Sequence, residues 1–240
     1  MNNFELYKSG RKIRFEENTQ LFNTDKINTL FIFHGLYGRG KNWQSYAKKI
    51  SENDEITVIT VDLRNHGENN FKKNMSYILM MEDIIHLFNY LKIKKTNLLG
   101  HSMGGKLAML ITLLKPKYIN KLLIADIAPI NYINDNENII DALLNLDLTL
   151  VKNRNHADEL LSNEIEQKFL RSFLLQNIKL SDGKYKWSIN LTSIKNTMNN
   201  LRSFPKIDKN NKVDTKSLCI YGQKSDYVNE DHFQIFKNYF

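Results

Sequence analysis

Four short apolar runs separated by stretches of helical periodicity fix most of what this chain can become. The runs are residues 29–33 (TLFIF), 56–61 (ITVITV), 96–100 (TNLLG) and 121–126 (KLLIAD). Brief, partly β-branched runs without polar alternation mark strands buried on both faces. Between them, residues 43–50 form a short amphipathic helix. Residues 76–91 place Ile78, Met81, Ile84, Ile85, Phe88 and Leu91 at helical spacing, and residues 103–114 form a helix that ends before Pro116. Strand and helix in alternation predict an α/β fold, a mostly parallel sheet wound with helices. Residues 4–17 read as a hairpin at the start: Phe4 and Leu6 alternate, Ser9-Gly10 turns, and Ile13 and Phe15 alternate again.

After Pro129 the pattern changes. Residues 134–203 hold helical stretches, among them 139–150 and 165–178, with a strand signal only near 185–189. A buried-strand signal returns at 218–221 (LCIY), followed by an amphipathic segment to Phe240. The expected organisation is a core over residues 1–130, a helical cap over 131–207, and the core resumed over 208–240.

Composition narrows the function classes. A 42% hydrophobic, 25% charged chain of 240 residues can bury a sizeable core. The single cysteine, Cys219, excludes a disulfide scaffold and any multi-cysteine metal site. His86 and His156 sit in helical contexts without paired ligands, so no metal is expected. The net charge of +8 invites a nucleic-acid reading, but 27 of the 34 basic residues are Lys, scattered along the chain. With 31 Asn and 25 Ile against 6 Ala, the excess follows a bias toward A/T-rich codons. Nucleic-acid binders concentrate Lys and Arg on one face, so no nucleic-acid partner is expected. No apolar run approaches the roughly 20 residues that cross a bilayer, and Met1 to Lys12 lacks the apolar stretch of a signal peptide. The expectation is a soluble, cytoplasmic protein without a membrane partner; the sequence does not indicate its oligomeric state.

The chemistry is carried by Gly100-His101-Ser102-Met103-Gly104, a G-x-S-x-G between a strand and a helix. A sharp strand-to-helix turn exposes the serine oxygen, and the glycines permit close backbone approach. The helix start aims N–H groups at a developing oxyanion. His34-Gly35 closes the strand at 29–33, so the loop after it can supply a second donor, the N–H of Leu36, beside that of Met103. His34 itself reads as structural.

HGLYG, VDLRNHG, GHSMGGKLAM and ADIAPINY resemble, in this order and spacing, the α/β-hydrolase superfamily, and within it the YbfF-type esterases and their eukaryotic abhydrolase relatives. The likeness continues through MEDIIHLFNYLKI and FLLQN…KYKWSIN, covering nearly all of the chain except its C-terminus. The resemblance implies an α/β-hydrolase fold and a serine hydrolase without cofactor. Its partner would be a small-molecule acyl ester or acyl-CoA thioester, with Ser102 as nucleophile.

Two residues compete for the triad acid. Many α/β hydrolases carry it after the strand at 218–221, where Asp226 stands; the YbfF-type pattern places it at Asp126 and has a serine at the later position, here Ser225. Asp126 is isolated in an apolar run and needs a polar partner, which an oriented histidine would provide, so Asp126 is the expected acid and Asp226 a solvated loop residue. Asp62 and Arg64 are expected to brace the DLRNHG turn by a charge-assisted bond, Cys219 to be a core residue, and Lys106 to reach solvent. The family's histidine follows one further strand, and no residue of 1–240 matches it. The chain is therefore expected to be C-terminally truncated relative to the family, leaving the strand at 218–221 at the sheet edge and Phe233 and Phe236 short of cover. A catalytically impaired or non-catalytic binding protein is the alternative reading.

Overall fold

The computed structural model describes residues 2–22, 28–132, 137–208 and 211–240. In chain order the first half holds β1 (Phe4–Lys8), β2 (Arg11–Ile13), β3 (Asn28–Phe33), α1 (Gln44–Ile50), β4 (Ile56–Val61), α2 (Tyr77–Tyr90), β5 (Thr96–His101), α3 (Met103–Leu114) and β6 (Ile119–Ala125). The second half holds α4 (Glu137–Asn145), α5 (Arg154–Leu161), α6 (Lys168–Leu174), β7 (Ile178–Ser181), β8 (Lys184–Trp187), α7 (Leu191–Arg202), β9 (Lys216–Ile220) and α8 (Asp231–Lys237).

Seven strands form one sheet in the order β2-β1-β4-β3-β5-β6-β9. The β1–β2 and β1–β4 pairs are antiparallel, and every pair from β4 to β9 is parallel. The apolar runs behave as their composition requires: Phe31, Ile32, Phe33, Val58, Ile59 and Leu98 are all fully buried. Helix α3 is buried along nearly its whole length, with Leu107, Leu110 and Ile111 sealed from solvent. Each such side chain contributes about 1.5–3 kcal/mol by leaving water, which anchors α3 firmly beneath the site it opens.

The segment between β6 and β9 departs from expectation in two places. Residues 178–187 form a hairpin, β7 pairing antiparallel with β8, where only a lone strand near 185–189 was expected. Asp182 and Gly183 both have positive φ, 53° and 75°, the geometry of a two-residue turn that suits Asp-Gly. The helix expected over 139–150 stops at Asn145, because Asp147 Oδ1 accepts from the Thr149 N–H and hydroxyl at 2.9 and 2.6 Å and draws the backbone into a turn. Strand β9 lies at the sheet edge among the described residues, with Leu218 55% and Ile220 56% exposed. Phe233 is exposed as expected, whereas Phe236 packs half-buried against the core.

Candidate active site

The path from β5 into α3 is an elbow. Ser102 sits at φ 51° and ψ −117°, a conformation that costs a non-glycine residue of order 1–3 kcal/mol and persists only where its surroundings impose it. They do: the Ser102 N–H donates to the Ala125 carbonyl at 3.0 Å, and its carbonyl accepts from Gly105 and Lys106 at 2.8 and 3.1 Å. Both motif glycines are dictated by backbone contact. A Cβ on Gly100 would lie 2.2 Å from the Gly104 carbonyl oxygen, and one on Gly104 would lie 2.4 Å from that of Phe33. Met103 opens α3, so its N–H is one of the helix's unpaired first-turn donors.

The loop after β3 crosses this elbow. A Cβ on Gly35 would lie 3.3 Å from Ser102 Cβ. The Gly38 N–H donates to the Gly35 carbonyl at 2.9 Å, closing a turn around Leu36 and Tyr37, with Tyr37 at φ 60°. His34 locks that turn: its Nε2 accepts from the Leu63 N–H at 2.9 Å, which leaves Nδ1–H to donate to the Gly35 carbonyl at 2.8 Å. Burial lowers the His34 pKa to about 4, so the ring is neutral and the structural reading of it holds.

The DLRNHG loop is braced differently from expectation. Asp62 and Arg64 do not pair. The Asp62 carboxylate accepts from the Gly40 and Glu68 N–H groups at 2.7 and 2.9 Å and from Asn3 Nδ2 at 2.8 Å. Arg64 turns outward to grip Asp83 of α2 through two bonds of 2.7 Å. His66 is buried 5.0 Å, ring to ring, from His34, with its pKa lowered by burial to about 3.

Asp126 follows β6 at φ 56°, its N–H donating to the Ile220 carbonyl at 2.8 Å and its Oδ1 accepting from Gly222 N–H at 3.3 Å. Burial lowers the His101 pKa and raises those of Tyr132 and the Cys219 thiol; the Asp126 charge opposes the first shift and adds to the other two. Asp226 is exposed in the loop beyond β9, and Ser225 Oγ accepts from the Tyr227 N–H at 3.1 Å. Cys219 is half-buried rather than sealed in the core. Among the described residues no histidine hydrogen-bonds Asp126 or Ser102, and no cluster of His, Cys, Asp and Glu could hold a metal ion.

A cavity of about 310 Å³ opens on Ser102. Leu36 and Met103 form its wall beside the serine; Ile127, Leu170, Phe173 and Met198 give it an apolar lining, most of it from the segment between β6 and β9. Lys106 also lines it and does not reach solvent: it is 2% exposed, with Nζ donating to the Arg202 carbonyl and lying 4.7 Å from the Tyr132 ring centre. Its position four residues after Ser102 on α3 was the available signal, since residues so spaced share a helix face. Tyr37, Tyr132 and Arg202 join it in the wall, and nothing local in the sequence marks them.

A family profile described as the alpha/beta hydrolase fold matches residues 28–238. The chain belongs to the α/β-hydrolase family. It is 32% identical over 210 residues to the sn-1-specific diacylglycerol lipase ABHD11 of Danio rerio, a match covering 85% of this chain and 66% of the zebrafish protein. It is 28% identical over 211 residues to esterase YbfF of Escherichia coli, covering 88% of this chain and 80% of that protein. A solved structure of a marine microorganism esterase superposes with a TM-score of 0.87 at 33% identity, over all of this chain and 87% of its own. No helix among the described residues is long and apolar enough to cross a membrane.

Proposed function

We propose that this α/β hydrolase cleaves carboxylic esters, acyl-CoA thioesters among them, through an acyl-enzyme on Ser102. The observation that carries the reading is the Ser102 backbone, held at φ 51° beneath the Gly35–Gly38 turn at the mouth of an apolar-walled cavity. That arrangement suits a hydroxyl attacking a carbonyl carbon, with N–H groups from the loop after β3 and the start of α3 to serve the oxygen that becomes negative. Ser102 Oγ attacks the acyl carbon, and the Leu36 and Met103 N–H groups stabilise the tetrahedral oxyanion. The alcohol or thiol leaves with the serine's proton, and water then releases the acid and restores the serine. Asp126 is the acid of the site; it would orient and charge-stabilise an imidazole that carries the proton, a role that no described histidine fills. The segment over residues 131–207 acts as a cap whose side chains select the acyl chain. The reaction needs no cofactor. Relatives named as an esterase and a lipase support the ester class.

The test is the time course of nitrophenyl butyrate hydrolysis. An acyl-enzyme gives an initial burst of one nitrophenol per active chain when deacylation is slow, and Ser102→Ala removes burst and turnover together. Turnover that survives the substitution contradicts the proposal. A second reading, a ligand-binding protein using the same cavity, is favoured by one observation: His34 is committed to Gly35 and Leu63, and His66 Nδ1 lies 2.8 Å from the Arg64 carbonyl. Ester binding without burst or turnover would select it.

A further inference from the structure

A lysine buried to 2% exposure in a cavity wall is a costly group unless something compensates its charge. Lys106 has a backbone carbonyl, that of Arg202, and the face of Tyr132. No carboxylate lies within ion-pair distance of it among the described residues. Both partners favour a cation: Arg202 ends α7, where the helix dipole is negative, and an aromatic face attracts an ammonium. They leave it short of an anion, and burial lowers its pKa to about 7.

The rest of the wall has the same bias. Arg202 lines the cavity with Lys106, and neither Asp nor Glu lines it among the described residues. Tyr37, 6% exposed, also lines it and has a hydroxyl without a hydrogen-bond partner. Asp141, which acts electrostatically on Tyr37, is itself occupied by Lys195 at 2.6 Å. A buried ammonium and an unused hydroxyl therefore face a space whose remaining walls are largely apolar, one helical turn from the nucleophile.

We infer that the cavity takes esters bearing a carboxylate, with Lys106 as the residue that selects them and Tyr37 as a second donor to the same group. The inference rests on the Ser102 site being the ester site, and it deepens that reading by naming the substrate class. A carboxylate entering beside Lys106 supplies the counter-charge that the fold withholds, whereas a neutral chain leaves the ammonium uncompensated. An apolar stem packs on Ile127 and Met198 while the charged end reaches the lysine.

Binding to Ser102→Ala protein at pH 6.5, measured by calorimetry, tests this without requiring turnover. The ligands are ethyl hydrogen glutarate, with the carboxylate on the acyl side, its reversed isomer 4-propionyloxybutanoate, with the carboxylate on the alcohol side, and the neutral amide of each. At least one acid is expected to bind ten-fold or more tightly than its amide, and the better isomer tells which side of the ester carries the charge. Adding Lys106→Met, close in volume and apolar, is expected to bring acid and amide to within about threefold while amide binding persists. Adding Tyr37→Phe is expected to reduce the preference severalfold. Equal binding of acids and amides, or a preference that survives Lys106→Met, overturns the inference. If the acid preference behaves as stated and the parent protein shows no ester turnover, the hydrolase reading fails and the anion site stands.

Discussion

The backbone N–H of Ser102 donates to the carbonyl of Ala125 at 3.0 Å, so the nucleophile position and the residue that precedes Asp126 meet across neighbouring strands. Both Ser102 and Asp126 then leave their strands through positive φ, 51° and 56°. Two adjacent parallel strands thus end in two strained residues on the same rim of the sheet, outside the carboxyl ends of the strands, where open α/β sheets place their ligands.

That pairing ranks the two acids. In an active form whose site includes the imidazole, Asp126→Asn is expected to lower kcat by up to about 10⁴-fold, as loss of a triad acid does, and Asp226→Asn to leave it near the parent value. Steady-state kinetics of the two variants on one nitrophenyl ester decide it; the opposite order moves the acid to the loop beyond β9.

Two neutral histidines beneath the Gly35 turn make stability depend on pH. His34 and His66 have folded pKa values lowered to about 4 and about 3 from an ordinary 6.5. The unfolded chain therefore takes protons that the native state refuses as pH falls below 6.5. Their contribution is complete above that value and is lost as pH falls toward 4 and 3, at up to about 1.4 kcal/mol per pH unit for each group. Urea midpoints should drop between pH 7 and pH 5, and His34→Gln should make that drop shallower. A midpoint unchanged over this range rejects the assignment.

Two glycines with similar positive φ should respond differently to alanine. At Gly67, φ 63°, a Cβ would lie 2.2 Å from the Asp62 carboxyl carbon; at Gly183, φ 75°, it would meet nothing within 4 Å. Gly183→Ala should cost only the left-handed backbone term, roughly 1–2 kcal/mol. Gly67→Ala must also displace a carboxylate that holds three N–H donors, and should cost at least about 3 kcal/mol. Denaturant unfolding of the pair measures the difference, and equal losses would mean that Asp62 yields freely.

Much of the scaffold was legible because its signals are local. The apolar runs became β3, β4, β5 and β6, and G-x-S-x-G became the strained turn that its glycines require. The β7–β8 hairpin was obscured because its strands, IKLS and KYKW, alternate over only four residues each, although Asp182-Gly183 carried the turn signal. Asp62 and Arg64 misled because adjacency in sequence was read as pairing, whereas their partners, Gly40 and Asp83, come from other elements. Lys106 was read as solvated because sequence alone does not show that α7 and Tyr132 close over its end. The cavity wall is tertiary in the same sense: Tyr37 and Arg202 are 165 positions apart and meet only when the segment after β6 folds back.

Fluorophosphonate labelling followed by peptide mass mapping tests the central claim, that Ser102 is an activated nucleophile in this fold. The account predicts one adduct per chain, on the peptide containing Gly100-His101-Ser102-Met103-Gly104, and none after Ser102→Ala. An adduct on another residue, or labelling that persists in Ser102→Ala, would contradict it.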